Sequence, residues 1–403
     1  MPNPTRLSQR AAAMPASPIR RLAPYAVAAR QKGLEVHGLN IGQPDIPTPE
    51  AIRVRLRAYD APYVPYGPSQ GLPEFLEALR TYYAGVGAKL AADEIFVTTA
   101  GSEAIQFTLG ALCDPGDQVI VFEPFYTNYN GFAALNGVEC APVTTSGADG
   151  YHLPDRKAIE AKIGPRTRAM LICSPNNPTG TVYTDAEIEM LAAICRDRGI
   201  FLVADEVYRE FTYDGKKSRS VLTLDGMDDL AIVVDSVSKR YSLCGARIGN
   251  IVSRNRDFMN AILRFGQARL CPPTVEQFAC TALTEVPASY TEGVIAEYTK
   301  RRDTVYGALS RMNGVRVRKP EGAFYVCLGL PVDDANAFAI FLLSEFSVGG
   351  ETVMVAPLDG FYATPGLGRD EVRLAYVLEV PKLERSMRIL EQALAAYPGL
   401  VKA

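Results

Sequence analysis

Only two histidines, His37 and His152, occur in the 403 residues. That scarcity argues against a metal enzyme and against a Ser-His-Asp hydrolase. The cysteines lie at 113, 140, 173, 195, 244, 271, 280 and 327, with no Cys-x-x-Cys pair. Neither a zinc site nor a disulfide framework is suggested. Several sit in apolar runs, such as Cys173 in AMLIC and Cys327 in FYVCL, and read as buried free thiols. These absences predict a reducing, cytoplasmic setting. No apolar run approaches the roughly 20 residues that cross a bilayer, so no membrane partner is expected. Long basic blocks are also missing and the formal net charge is −3, which argues against nucleic acid. There is no Walker-type loop and no complete Gly-x-Gly-x-x-Gly after a strand.

The first 34 residues contain no Asp or Glu and several arginines, a composition shared with transit peptides. Ser17-Pro18 nevertheless reads as an N-cap followed by proline at the first helical position, and Gly33 reads as a stop. An ordinary helix is predicted through IRRLAPYAVAARQK, with a kink at Pro24.

What is present is a globular balance, with 48% hydrophobic and 22% charged residues. The length suits two or more domains. Short apolar runs alternate with amphipathic segments: EIFVTT (94–99), QVIVFE (118–123), AMLICS (169–174), FLVADE (201–206), AIVVDS (231–236) and IGNIVS (248–253). That alternation predicts an α/β fold, a mostly parallel sheet with helices on both faces. After about residue 297 a charged helix candidate leads to strands at VRVRK and GAFYVCL, which predicts a smaller α/β unit. The expected units are 1–45, packing with the small domain, 46–296, the large domain, and 297–403, the small domain.

Four apolar runs end directly in polar groups: Thr98-Thr99 before AGSEA, Ser174 before PNNPTG, Asp205-Glu206, and Asp235-Ser236 before VSK. In open parallel sheets ligands bind at the carboxyl ends of strands, so these ends predict one polar crevice. Ala100, Gly101 and Ser102 open a helix where backbone N–H groups can meet an anion, although Ser102 also suits a simple cap. Lys239 follows an apolar strand between serines, with Arg247 eight residues on; desolvation there would free its amine to attack an aldehyde. A solvated surface lysine is the plainer alternative. Arg247 can bind two phosphate oxygens. Asp205 needs a partner, either an arginine or a helix end, or a protonated pyridine nitrogen. Asn177 and Tyr208 can donate to a ring oxygen, or serve as turn and packing residues.

SPNNPTG (174–180), DEVY (205–208) and SVSKRYSLCGARIG (236–249) together resemble the signature blocks of class I/II aminotransferases of pyridoxal-phosphate fold type I. The similarity runs from IGQPDIPTP (41–49) to EVRLAY (371–376). The resemblance implies a large domain with a mostly parallel sheet and a smaller α/β domain. It implies pyridoxal 5′-phosphate held as a Schiff base on Lys239, with Asp205 at the pyridinium nitrogen and Asn177 and Tyr208 at the ring oxygen. Tyr126 would stack on the ring, or else pack in the core. Ala100, Gly101, Ser102, Ser236 and Arg247 would hold the phosphate, joined by Tyr66 of a neighbouring subunit, which implies a homodimer with shared active sites. Arg373 would clamp the substrate α-carboxylate and Gly42 would contact it through its backbone; on residues alone Arg373 reads as a surface arginine on an edge strand. Amino-acid and 2-oxo-acid substrates and a ping-pong mechanism follow, with aspartate and 2-oxoglutarate as the working pair. A C–S lyase or decarboxylase would share the cofactor residues. One departure stands out. Some related aspartate aminotransferases carry a lysine at the Ser102 position to read the distal carboxylate, a charge that serine cannot supply. The arginine that another subgroup uses for the same task has no clear counterpart around FGQARLCPPT, although Arg264 and Arg269 lie close by.

Overall fold

The computed structural model describes residues 7–401; residues 1–6 and 402–403 of the expected terminal units lie outside the described residues. In chain order the strands are β1 (Glu35–Gly38), β2 (Ile95–Thr99), β3 (Gln118–Glu123), β4 (Glu139–Thr144), β5 (Thr167–Cys173), β6 (Phe201–Asp205), β7 (Ala231–Ser236), β8 (Ile248–Val252), β9 (Arg316–Val317), β10 (Tyr325–Gly329), β11 (Glu351–Met354), β12 (Ala356–Pro357) and β13 (Glu371–Ala375). Each predicted apolar run is a strand. β4, which carries the polar alternation ECAPVT, was not visible as one.

Seven of these form one sheet in the order β2-β8-β7-β6-β5-β3-β4. All its pairs are parallel except those of β8 with β2 and β7, so the fold is α/β with a mostly parallel sheet. The uniform apolarity of β5 to β7 has a physical cause: successive residues point to opposite faces, and both faces are covered. Leu202 and Ala204 face Ile188, Leu191 and Ile194 of the helix Asp185–Arg198. Val203 faces the other way, into a cluster with Leu109, Phe258 and Ile262. Each such fully buried aliphatic side chain contributes about 1.5–3 kcal/mol.

The helix Asp185–Arg198 shows how local signals set its ends. Thr184 and Glu187 form a reciprocal capping box, and Gly199 ends the helix in the left-handed region at φ 63°. The N-terminal helix corrects the expectation. The segment IRRLAPYAVAARQK is helical only over Ala23–Gln31, with Leu22 as N-cap, while 18–22 form a turn and a separate short helix, Gln9–Ala13, comes before it. Pro24 therefore lies in the first turn rather than kinking an interior, because a proline there forfeits no hydrogen bond whereas deeper in a helix it would. Gly33, at φ 87°, follows the end as expected.

A second sheet, β12-β13-β10-β9, is antiparallel, and β1 pairs in parallel with β11. The helix Ala23–Gln31 packs on the helix Ala335–Ser344. Residue 297 falls within the helix Ala288–Leu309. No helix among the described residues is long and apolar enough to cross a membrane.

Candidate active site

The sheet register brings the predicted polar strand ends side by side. Cys173 pairs with Asp205, Asp205 with Val234, Ser236 with Gly249, and Thr99 with Ile248. Above them lies a cavity of about 250 Å³. It is lined by Gly42, Ala100, Gly101, Ser102, Tyr126, Asn177, Asp205, Tyr208, Ser236, Lys239, Arg247 and Arg373, together with Tyr325, Cys244, Ile19 and Arg20. Every predicted site residue is therefore brought together except Tyr66, which is 82% exposed and lies elsewhere on the surface.

One end of the cavity is built from two helix starts. Ala100 takes φ 62°, a left-handed conformation unusual for a residue with a side chain. Across from it, a Cβ at Gly249 would lie 2.5 Å from the Ala100 carbonyl carbon and 2.7 Å from the Gly101 nitrogen. Only glycine lets β8 approach so closely, and the approach fixes the start of the helix Ala100–Leu112. Ser102 is not the cap; the N-cap is Thr99, whose N–H donates to Glu103 Oε2 at 2.8 Å. The Ser102 hydroxyl is left for the cavity. Ser236 Oγ accepts from Ser238 N at 3.2 Å and opens the short helix that carries Lys239. Arg247 is exposed at the rim with φ 56° and donates to Cys244 O at 3.0 Å.

Lys239 is half-buried, and its Nζ donates to Gly42 O at 2.8 Å, with Cys244 Sγ 3.7 Å away. Its neighbour Arg240 anchors the segment from below, binding Asp235 at 2.9 Å and Glu210 at 2.7 Å. Arg209 reaches the same Asp235 at 3.3 Å. Asp235 and Arg240 are both almost fully buried, so removing one partner would strand the other's charge.

Asp205 lies at the floor, 7% exposed. It accepts from the Tyr129 hydroxyl at 2.8 Å and from Val207 N at 3.4 Å, but it pairs with no cation among the described residues. Burial pushes its carboxyl up to about 6, against the two hydrogen bonds, and the nearby Asp235 and Glu206 push the same way. Tyr208 exchanges a 2.9 Å hydrogen bond with Tyr325. Tyr126 accepts from Asn128 at 2.8 Å, and burial raises its hydroxyl to about 12.

Arg373 is 1% exposed and sits on β13, an interior strand, which overturns the reading as a surface arginine on an edge. It donates to Asn177 Oδ1 at 3.0 Å and to Asn40 O, and lies over the rings of Tyr325 (4.4 Å) and Phe361 (5.0 Å). Its Nε is buried without a hydrogen-bond partner among the described residues. A Cβ at Gly42 would fall within 1.8 Å of the Tyr325 hydroxyl, so that turn too must be glycine.

Sequence reasoning missed Tyr129, Tyr325 and the Asp235–Arg240 support, all of which require the strand order to be seen. It also missed Ile19 and Arg20.

The sequence model of the aminotransferase class I and II family matches residues 35–369. A probable aspartate/prephenate aminotransferase of Aquifex aeolicus is 31% identical, covering 96% of this chain and 98% of its own length. Among solved structures, a single mutant of Thermus thermophilus aspartate aminotransferase superposes with TM-score 0.88 at 29% identity, covering 97% of this chain and 100% of that one. An alanine aminotransferase from Pyrococcus furiosus does so with TM-score 0.88 at 30% identity and the same coverage.

Proposed function

Because the chain belongs to the class I and II aminotransferase family, we propose that it moves the amino group of an L-amino acid to a 2-oxo acid by a ping-pong reaction on pyridoxal phosphate. Aspartate is the working donor and 2-oxoglutarate the working acceptor. The observation that carries this is Asp205, a buried carboxylate without a cationic partner among the described residues, on the floor of a cavity whose walls hold an amine and a buried arginine. A buried lone carboxylate needs a positive charge, and the protonated nitrogen of a pyridine ring supplies one.

The residues present fit that cofactor. Bound pyridoxal phosphate supplies an aldehyde for amine exchange and a ring that draws electrons from the substrate's α-carbon. Asp205 keeps the ring nitrogen protonated. Tyr208 donates to the ring oxygen, as does the Asn177 NH₂ group, since its side-chain oxygen already accepts from Arg373. Tyr126 covers one ring face. Ala100, Gly101, Ser102, Ser236 and Arg247 take the phosphate, using helix-terminal N–H groups and a guanidinium fork. Arg373 clamps the substrate α-carboxylate, with the Gly42 backbone beside it. Lys239 would hold the cofactor, and its Nζ, once freed, would take the proton from the substrate α-carbon and pass it to the carbon that had carried the cofactor's aldehyde.

Tyr66 stands 82% exposed beside Tyr63 and Val64, at 72% and 58%. Such an apolar surface supports its being covered by a second copy, whose phosphate Tyr66 would reach in a homodimer with shared sites. All eight cysteines are free, which supports a reducing, cytoplasmic setting. The two sheets support reading 46–296 as a large cofactor-binding domain, with 1–45 joining the small domain of 297–403.

The test is a half-reaction on purified protein loaded with the cofactor, across a panel of amino acids. A change in cofactor absorbance that 2-oxoglutarate reverses, with glutamate formed, supports transamination. Release of ammonia alongside the 2-oxo acid, or of carbon dioxide, with no amino group passed to 2-oxoglutarate, would assign a lyase or decarboxylase instead.

A further inference from the structure

Four cationic side chains line the cavity: Lys239, Arg247, Arg373 and Arg20. Lys239, Arg247 and Arg373 each have a role in the proposed reaction, and Arg20 has none. It belongs to the turn ahead of the N-terminal helix, where the N–H groups of Arg20 and Arg21 both donate to Ser17 O at 3.1 and 3.2 Å. Its neighbours tie this turn down. Ile19 packs on a cluster that includes Leu358 and Phe361. Pro18 lies so close to Gly360 that a Cβ there would be 2.4 Å away. Arg21 pairs with Asp359 at 2.7 Å and also donates to Asn336. Arg20 is the residue left to the cavity, exposed and making no ion pair with any described residue. Phe361, under this turn, is also the ring beneath Arg373, so the free guanidinium and the buried one share a wall.

The other candidates for a distal charge are accounted for. Ser102 is neutral. Arg269 is committed to Ser69 O (3.2 Å), Val97 O (3.3 Å) and Glu103 (3.4 Å). Arg264 does not line the cavity.

We propose that Arg20 binds the distal carboxylate of a dicarboxylic substrate while Arg373 holds the α-carboxylate, so that the site selects four- and five-carbon dicarboxylic amino and 2-oxo acids. This rests on the transamination reading of the same cavity. A charge-assisted hydrogen bond of this kind corresponds to about 10- to 100-fold in affinity.

The experiment uses the cofactor-loaded protein, wild type, Arg20→Gln and Arg20→Lys, and two readouts. The first is calorimetric binding of succinate, a non-reacting dicarboxylate, against propionate. The second is kcat/KM in the half-reaction for aspartate against alanine. Arg20→Gln is expected to weaken succinate and aspartate by about 10- to 100-fold, leaving propionate and alanine within about twofold, and Arg20→Lys to recover part of the loss. Succinate binding unchanged by Arg20→Gln, or equal losses for the mono- and dicarboxylic compounds, would overturn the assignment. So would a wild type that binds succinate no better than propionate. If the wild type converts no amino donor yet binds succinate through Arg20, the transamination reading fails and the dicarboxylate site stands. If it transaminates and Arg20→Gln changes nothing, only the assignment of Arg20 falls.

Discussion

Replacing Asp205 by asparagine should move stability and catalysis in opposite directions. In the protein freed of cofactor, burial raises the carboxyl from its ordinary 3.8 to about 6. That displacement corresponds to about 3 kcal/mol. The folded state binds the proton more tightly than the unfolded chain between those two values. The contribution of this carboxyl to stability is therefore greatest below about pH 4, falls as pH rises through the window, and stays lowered above about pH 6. Asparagine carries no charge, and the Tyr129 hydroxyl can turn to accept from its amide. At pH 8 the cofactor-free variant should be more stable by about 3 kcal/mol, roughly 3–4 °C in melting temperature for a chain of this length. At pH 4 the two proteins should melt within about a degree of each other. The same variant, loaded with cofactor, should lose about 10²- to 10³-fold in the rate of the half-reaction, since the positioned charge at the ring nitrogen is gone. Calorimetry from pH 4 to 8 and stopped-flow absorbance read the two effects. An asparagine variant no more stable than wild type at pH 8, with the same pH slope, would refute the isolated carboxylate on which the reasoning rests.

Three further outcomes are expected. Lys239→Ala should abolish turnover while leaving the melting temperature within a few degrees, because the half-buried side chain holds little beyond Gly42 O; normal steady-state activity would refute its role. Gly249→Ala should destabilise the fold by about 1–3 kcal/mol and weaken cofactor binding, because the new methyl meets the backbone of Ala100 and Gly101; unchanged cofactor titration would contradict the phosphate cradle. Tyr66→Phe should leave a dimer in sedimentation but weaken cofactor affinity by about 10-fold, the loss of one hydrogen bond to a charged oxygen; a monomeric wild type would remove the shared site.

Much of the architecture is legible because it rests on patterns short enough to read along the chain. Strands covered on both faces must be apolar throughout, so FLVAD and AIVVDS stand out, and the polar residue that breaks each run marks the ligand end. The blocks around Asn177, Asp205 and Lys239 are legible for the same reason. What escaped depends on partners distant in sequence. Arg373 is buried only because β13 lies inside the second sheet, between β12 and β10. Tyr129 bonds Asp205 across 76 positions. Asp235 becomes tolerable in a fully buried strand because Arg209 and Arg240 converge on it. The start of the helix Ala23–Gln31 is ambiguous in the sequence because Ser17-Pro18 and Ala23-Pro24 both offer acceptable first turns. The tertiary anchoring of Ile19 and Arg21 holds the earlier pair in a turn, and with it places Arg20 at the cavity.

The most direct test of the account is to reduce the cofactor-loaded protein with borohydride and locate the label by peptide mass spectrometry. The account predicts one phosphopyridoxyl group per chain, on Lys239 and no other lysine. A label on a different lysine, or none on a protein that has bound the cofactor, would contradict it.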